Sequence, residues 1–392
     1  MKILLVIDQF YDANNGMTIS ARRFAKVLAD HGHEIRIVST GRSRDPLLYA
    51  DSYSVPKQYI PFFDKLVAQQ GMTFAKPDDD ILEQAIAWAD LVHFLVPFML
   101  SRHGIMIAKE LGVPYTAAFH CQPENVTASI YLDKFKSINK LLYLWFNHYF
   151  YQYCDHIHCP SQFIADELRK TGYQSQLHVI SNGIDPDFVG MRKIAKPPEL
   201  QDKFIILSIG RFSREKRQDL LIKAVKINRH AGQIQIILAG QGPKRDQLEK
   251  LGTSLPNPPI IKFYSKPELL DVIAMSDLYV HAASAEIEAM SCMEAFAGGL
   301  VPVIAGSEKS ATPQFALDER SLFAAGSPED LSNKIDYWYN HPEERKKMSK
   351  KYAFLGEKYN LETCVFKAEE MFYQAVREAA HEIIPIKEAS GK

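Results

Sequence analysis

At 392 residues the chain exceeds what one hydrophobic core ordinarily supports, so two domains are expected. Its 46 basic and 47 acidic side chains leave a net charge of −1, which removes any bulk-charge case for nucleic-acid binding. A content of 46% hydrophobic and 24% charged residues is that of a globular protein with a packed interior.

The opening run Met-Lys-Ile-Leu-Leu-Val-Ile7 reads as a first β-strand, because Asp8 follows at once and no small-residue cleavage site appears. A helix is predicted over 17–31 and a strand over 34–39, then a helix over 80–89, a strand over 91–96, a helix over 102–111 and a strand over 115–119. Strands that alternate with helices imply parallel pairing through right-handed crossovers, so the first half is predicted to be a doubly wound α/β sheet. The most apolar internal segment, 91–100, is about half the length of a spanning helix, and no transmembrane segment is expected.

A Pro- and Lys-rich loop, Lys193-Ile-Ala-Lys-Pro-Pro-Glu199, is the best linker candidate. Beyond it the alternation resumes: strand 204–208, helix 218–230, strand 234–239, then Gly240-Gln-Gly-Pro243 opening a further helix. Strand 260–264, helix 267–275, strand 278–281 and a strand-like 300–304 follow. The two sheets are expected to face each other across a cleft, as domains 1–190 and 191–365. A last amphipathic helix, with Phe366, Ala368, Met371, Phe372 and Ala375 on one side, is expected over 366–380 and to cross back to the first domain, before a flexible tail at 381–392. The five cysteines form no CxxC pair and read as free thiols in a reducing compartment.

The most informative residues are Glu286 and Glu294, with seven residues between them in Ser284-Ala-Glu-Ile-Glu-Ala-Met-Ser-Cys-Met-Glu294. Either alone is most simply a solvated charge or a helix N-terminal acid. Together, in a stretch otherwise small and apolar, they need partners, and the hydroxyls of a polyol ligand are such partners. A helix is expected to begin near Glu294. After the first strand of the second half comes Gly210-Arg-Phe-Ser-Arg-Glu-Lys216, at a strand end of the kind that faces ligands in open α/β sheets. Arg211 and Lys216 suit a diphosphate, and Arg214 and Arg217 read as solvated. In the first half Gly16, in the turn after the first strand, marks a helix N-terminus that can meet an anion. His120 ends the strand over 115–119 and is a candidate substrate contact, although thirteen histidines are present. No GxGxxG and no GxxxxGK[ST] occurs, so nicotinamide and P-loop chemistries lose their support.

Taken in order, Asn15-Gly16, Gly32-His33-Glu34-Ile35, His120, Ser161, Ser181-Asn-Gly-Ile-Asp185, Gly210 to Lys216, Ala239-Gly-Gln-Gly-Pro243 and the spaced glutamates resemble glycosyltransferase family 4. The resemblance covers almost the whole chain and implies the GT-B fold, retaining chemistry and no metal or other cofactor. It implies Arg211 and Lys216 at the donor diphosphate, Glu294 at the ribose, Glu286 at the transferred sugar and His120 near the reacting carbon. Asn15, Gly16, Gly240, Tyr264, Glu288, Ala289 and Met290 would complete the substrate-binding set. Two departures stand out. Ile287-Glu288-Ala289 replaces the family's Gly-Phe-Gly and adds a carboxylate, and Asn-Gly replaces Gly-Gly in the first turn.

The Glu-Ile-Glu-Ala variant resembles bacterial enzymes that glycosylate diacylglycerol or ceramide. That implies a peripheral enzyme at the inner face of the cell membrane, taking UDP-glucose or UDP-galactose to a lipid acceptor. Residues 134–151, basic at one end and aromatic along their length, suit an interfacial helix, but the spacing of Leu141, Leu144, Trp145 and Tyr149 favours packing inside the first domain for most of that stripe. The alternative acceptors are a cell-envelope polysaccharide precursor or a small soluble molecule, and a non-catalytic sugar-nucleotide module is a reading from another class.

Overall fold

The structure is a computed structural model that describes residues 1–11, 16–42, 52–59, 73–129, 136–192 and 194–389. It divides into two compact units, one of Met1–Val126, Asp133–Asn182 and Leu361–Lys392, the other of Thr127–Leu132 and Gly183–Asn360.

The first unit carries a seven-stranded parallel sheet of order β3-β2-β1-β4-β5-β6-β7. These are β1 (Lys2–Gln9), β2 (Glu34–Thr40), β3 (Tyr53–Val55), β4 (Leu91–Phe94), β5 (Tyr115–Ala118), β6 (His156–Cys159) and β7 (Gln176–Val179). From Ile3 to Gln9 β1 is buried throughout, as expected of a central parallel strand covered on both faces. One extra residue enters β1 between Val6 and Gln9, where the register with β2 shifts, and this irregularity contains Asp8.

The second unit carries a six-stranded parallel sheet of order β10-β9-β8-β11-β12-β13. Its strands are β8 (Phe204–Ile209), β9 (Ile234–Ala239), β10 (Ile260–Lys262), β11 (Leu278–His281), β12 (Pro302–Ala305) and β13 (Leu322–Phe323). Strand order reverses between β1 and β4 in one sheet and between β8 and β11 in the other. Such switch points are where open α/β sheets bind ligands.

Local chemistry sets the helix ends. Asp78 accepts from Ile81 N at 3.1 Å and Ser161 from Ile164 N at 3.3 Å, while Ser265 and Glu268 form a capping box. The last helix, Leu361–Ala389, packs on the first unit. Its buried stripe is Leu361, Cys364, Val365, Ala368, Met371, Phe372 and Ala375, whereas Phe366 is 53% exposed and stacks on His31. The expected stripe is thus corrected at Phe366, which lies one position off the period set by Leu361, Val365 and Ala368.

The helix Lys136–Tyr149 also differs from expectation. Asn139, Tyr143, Phe146 and Phe150 form its buried side at spacings of three and four, and Leu141, Leu144 and Trp145 lie off that side and are exposed, Leu141 to 64%. All five cysteines are free thiols. No helix among the described residues is long and apolar enough to cross a membrane.

Candidate active site

The second unit's switch point is flanked by the loops that follow β8 and β11. The first is Gly210 to Arg217, the second runs from Ala282 to Ala289 and carries Glu286 and Glu288. Ser284 ties them together, donating to Glu215 O through its N–H at 2.7 Å and its hydroxyl at 3.2 Å. The β8 loop is also locked to the loop after β9: Gly210 N donates to Ala239 O at 3.0 Å and Phe212 N to Gln241 O at 2.9 Å. This close approach needs glycine, since a Cβ on Gly240 would lie 2.0 Å from Gly210 O.

Within this frame Lys216 Nζ bonds Glu286 Oε1, and the same oxygen lies 3.1 Å from His281 Nε2. Burial alone would push the Glu286 carboxyl up, but Lys216 and then His281 reverse the effect and hold it at about 2, so it is an anion at neutral pH. A carboxylate only accepts, so Nε2 carries the proton. His281 Nδ1 lies 3.2 Å from the Tyr279 hydroxyl, which is 3.3 Å from Ser291 Oγ. Glu286 Oε2 makes no hydrogen bond among the described residues.

Glu288 and Glu294 are buried in the same region. The helix carrying Glu294 is Met290–Ala297, so Glu294 lies past its first turn, where a helix had been expected to begin. The earlier start follows from Ala289, whose left-handed backbone (φ 71°) turns the chain into the helix at Met290. Burial pulls the Arg211 guanidinium down from its ordinary range, with Glu215 acting the other way. Tyr264, just past β10, is half-buried with Lys262 over its ring at 5.0 Å.

His120 and Gly16 belong to the first unit, and Asn15 lies outside the described residues. Gly16 opens the helix Gly16–Asp30. His120 follows β5, its ring 5.3 Å from that of His158. Burial, then His158, lowers its pKa to about 3, which keeps the imidazole neutral. It shares a cavity wall with Ser20, Phe24, His93 and His158. Sequence reasoning passed over His281 and Tyr279; the criterion applied to His120, a histidine at the end of a parallel strand, also fits His281.

Residues 14–188 match the family model described as Glycosyltransferase Family 4, and residues 191–353 that of Glycosyl transferases group 1. The chain is a glycosyltransferase with a family 4 domain followed by a group 1 domain. This glycosyltransferase is 26% identical to the alpha-monoglucosyldiacylglycerol synthase of Streptococcus pneumoniae over 78% of its own length and 71% of that protein. It is 24% identical to the GDP-mannose-dependent alpha-mannosyltransferase of Corynebacterium glutamicum, over 78% and 72%. Anabaena HepE, solved with UDP and glucose, shares the fold of the glycosyltransferase at a TM-score of 0.72 and 16% identity, over 95% of this chain and 100% of that one. The architecture is that of the GT-B enzymes.

Proposed function

We propose that the chain moves a hexose, with retention, from UDP-glucose or UDP-galactose to the hydroxyl of a membrane lipid such as diacylglycerol or ceramide. The observation that carries this reading is the convergence of a lysine, an ionised glutamate and a half-buried arginine on one switch point. Arg211 and Lys216 meet the donor diphosphate, Glu294 the ribose hydroxyls and Glu286 the hexose, with Glu288, Ala289, Met290, Gly240 and Tyr264 around them. Gly16 and Asn15 are assigned to the phosphates in this reading. His120, as a neutral imidazole, offers hydrogen bonds near the reacting carbon.

In this scheme the bond from the anomeric carbon to the phosphate oxygen breaks as the acceptor oxygen bonds on the same face. The acceptor's proton passes to the departing phosphate oxygen. Negative charge gathers on the diphosphate, and fixed cations stabilise it without reorganising, so Arg211 and Lys216 fill the role often given to a metal ion.

Support for a lipid acceptor comes from the lipid-directed activity in the name of the streptococcal relative and from the exposed Leu141, Leu144 and Trp145 beside Lys140. Such a face suits a peripheral helix at an anionic leaflet. The test is a radiolabelled transfer assay offering UDP-glucose and UDP-galactose against vesicles of diacylglycerol and of ceramide. Label in the organic phase is the expected result. UDP release with all label left in the aqueous phase would move the acceptor to a polysaccharide precursor or a small soluble molecule.

A further inference from the structure

Glu286 is 93% buried by its 7% exposure, and its two oxygens are unequal. Oε1 takes both Lys216 and His281, and Oε2 takes nothing among the described residues. A carboxylate turns easily about its last torsion, so this difference persists only if something fixes the plane. Lys216 is a poor fixative, being a point charge on a flexible stem that must also serve the diphosphate. His281 is a better one: it is buried on β11, and Tyr279 holds the ring's far nitrogen.

We propose that His281, backed by Tyr279, is the positioning residue that turns Glu286 so that Oε2 faces the transferred sugar. The proposal rests on the reading that this loop pair binds the sugar nucleotide. His281 Nε2–H donates to Oε1, which leaves Nδ1 as the acceptor that faces the Tyr279 hydroxyl at 3.2 Å, while Ser291 Oγ and Ile209 O lie 3.3 and 3.5 Å from the same hydroxyl as its other acceptors. When Lys216 turns to the diphosphate, His281 keeps Oε1 satisfied and the carboxylate keeps its orientation. Tyr279 and Ser291 touch no ligand in this scheme; they act only through His281.

The proposal makes a division that a merely structural histidine would not make. UDP lacks the sugar, so losing His281 should leave UDP binding alone and weaken UDP-glucose. The experiment is calorimetric titration of the full chain with UDP and with UDP-glucose, for the native protein and for His281→Leu, His281→Gln and Tyr279→Phe. His281→Leu is expected to lose about 10- to 100-fold in UDP-glucose affinity, the range for a hydrogen bond to a charged group, with UDP affinity changed less than about threefold. His281→Gln retains an N–H donor at similar reach and is expected to recover most of that loss.

Retained UDP binding also shows that a variant is folded. Should His281→Leu fail to bind UDP, Tyr279→Phe carries the test, because it removes one oxygen and keeps the ring; a loss of about 3- to 10-fold for UDP-glucose alone is expected. Equal affinity changes for both ligands, or none for either, would overturn the assignment while leaving the donor site standing. A native protein that binds neither ligand would remove the donor reading and this proposal with it.

Discussion

Two buried carboxylates in this chain are shifted in opposite directions, and each shift has a cause that mutation can expose. Glu286 is held down at about 2 by Lys216 and His281 despite its burial. Asp8, only 3% exposed, accepts from Ala75 N at 2.8 Å through Oδ1, but Oδ2 has no partner among the described residues, and burial pushes the carboxyl up to about 7 against the opposing pull of the Ala75 and Asp8 backbone groups. A carboxyl that ionises later in the native chain than in the unfolded one makes the native state lose stability as pH climbs from the unfolded value to the folded one. For Asp8 that window runs from about 4 to about 7, and the loss is at most about 4 kcal/mol. Asp8→Asn removes the titration, so its melting temperature relative to the native chain should rise steadily from pH 4 to pH 7.5; a difference independent of pH would show that Asp8 ionises normally. At the proposed donor site, Lys216→Ala should lower turnover by about 10²- to 10³-fold if it stabilises the leaving group. It also leaves Glu286 ionised without its cation, at a cost of about 2 kcal/mol that adding Glu286→Gln should largely recover in a thermal melt.

At the scale of elements, most of the architecture was legible because its signals are local and periodic. The strand over 278–281 and the βα alternation are written as continuous apolar runs and helical stripes. Glu294 was placed near a helix start because small residues run on from it, but the start depends on Ala289 adopting a left-handed backbone, a conformation that alanine rarely announces. The exposure of Leu141, Leu144 and Trp145 escaped for a related reason. Aromatic residues populate both sides of that helix, and composition does not tell which side meets the core. The His281–Glu286 contact was invisible because it joins a strand end to a loop through side-chain orientation alone. The glycine pattern after β9 was legible, and it carries a prediction. Gly240→Ala would set a methyl 2.0 Å from Gly210 O, so the β8 loop must shift and carry Arg211 and Lys216 with it. A loss of about 2 kcal/mol in stability and at least tenfold in UDP affinity is expected; normal UDP binding would mean that the β8 loop does not set the diphosphate contacts.

Two core clusters among the described residues differ in how the chain builds them. The second unit's is made from residues between Ile184 and Tyr359, whereas one in the first unit joins β1 and the helix Gly16–Asp30 to the last helix. Side chains also fasten that helix: Glu369 Oε1 lies 2.7 Å from His33 and 3.0 Å from His31, and Glu378 lies 3.1 Å from His156. Glu362 and Glu369 raise the His31 pKa against the effect of its burial, so this fastening is complete below the ordinary histidine range and fades as pH rises through the raised value. The first unit's core is therefore closed by residues distant in sequence, whereas the second unit's closes within one continuous stretch. Phe372 tests this directly. It is 1% exposed in the first unit's core and its ring lies 5.1 Å from that of His93. Phe372→Ala should cost about 3 kcal/mol and lower one calorimetric transition by several degrees, leaving a second transition, that of the Ile184 to Tyr359 core, unmoved. The contrast between transitions is the decisive reading, because a core closed by its own residues does not respond to a cavity in the other. A single transition that moves as a whole would mean that the two cores melt as one cooperative unit.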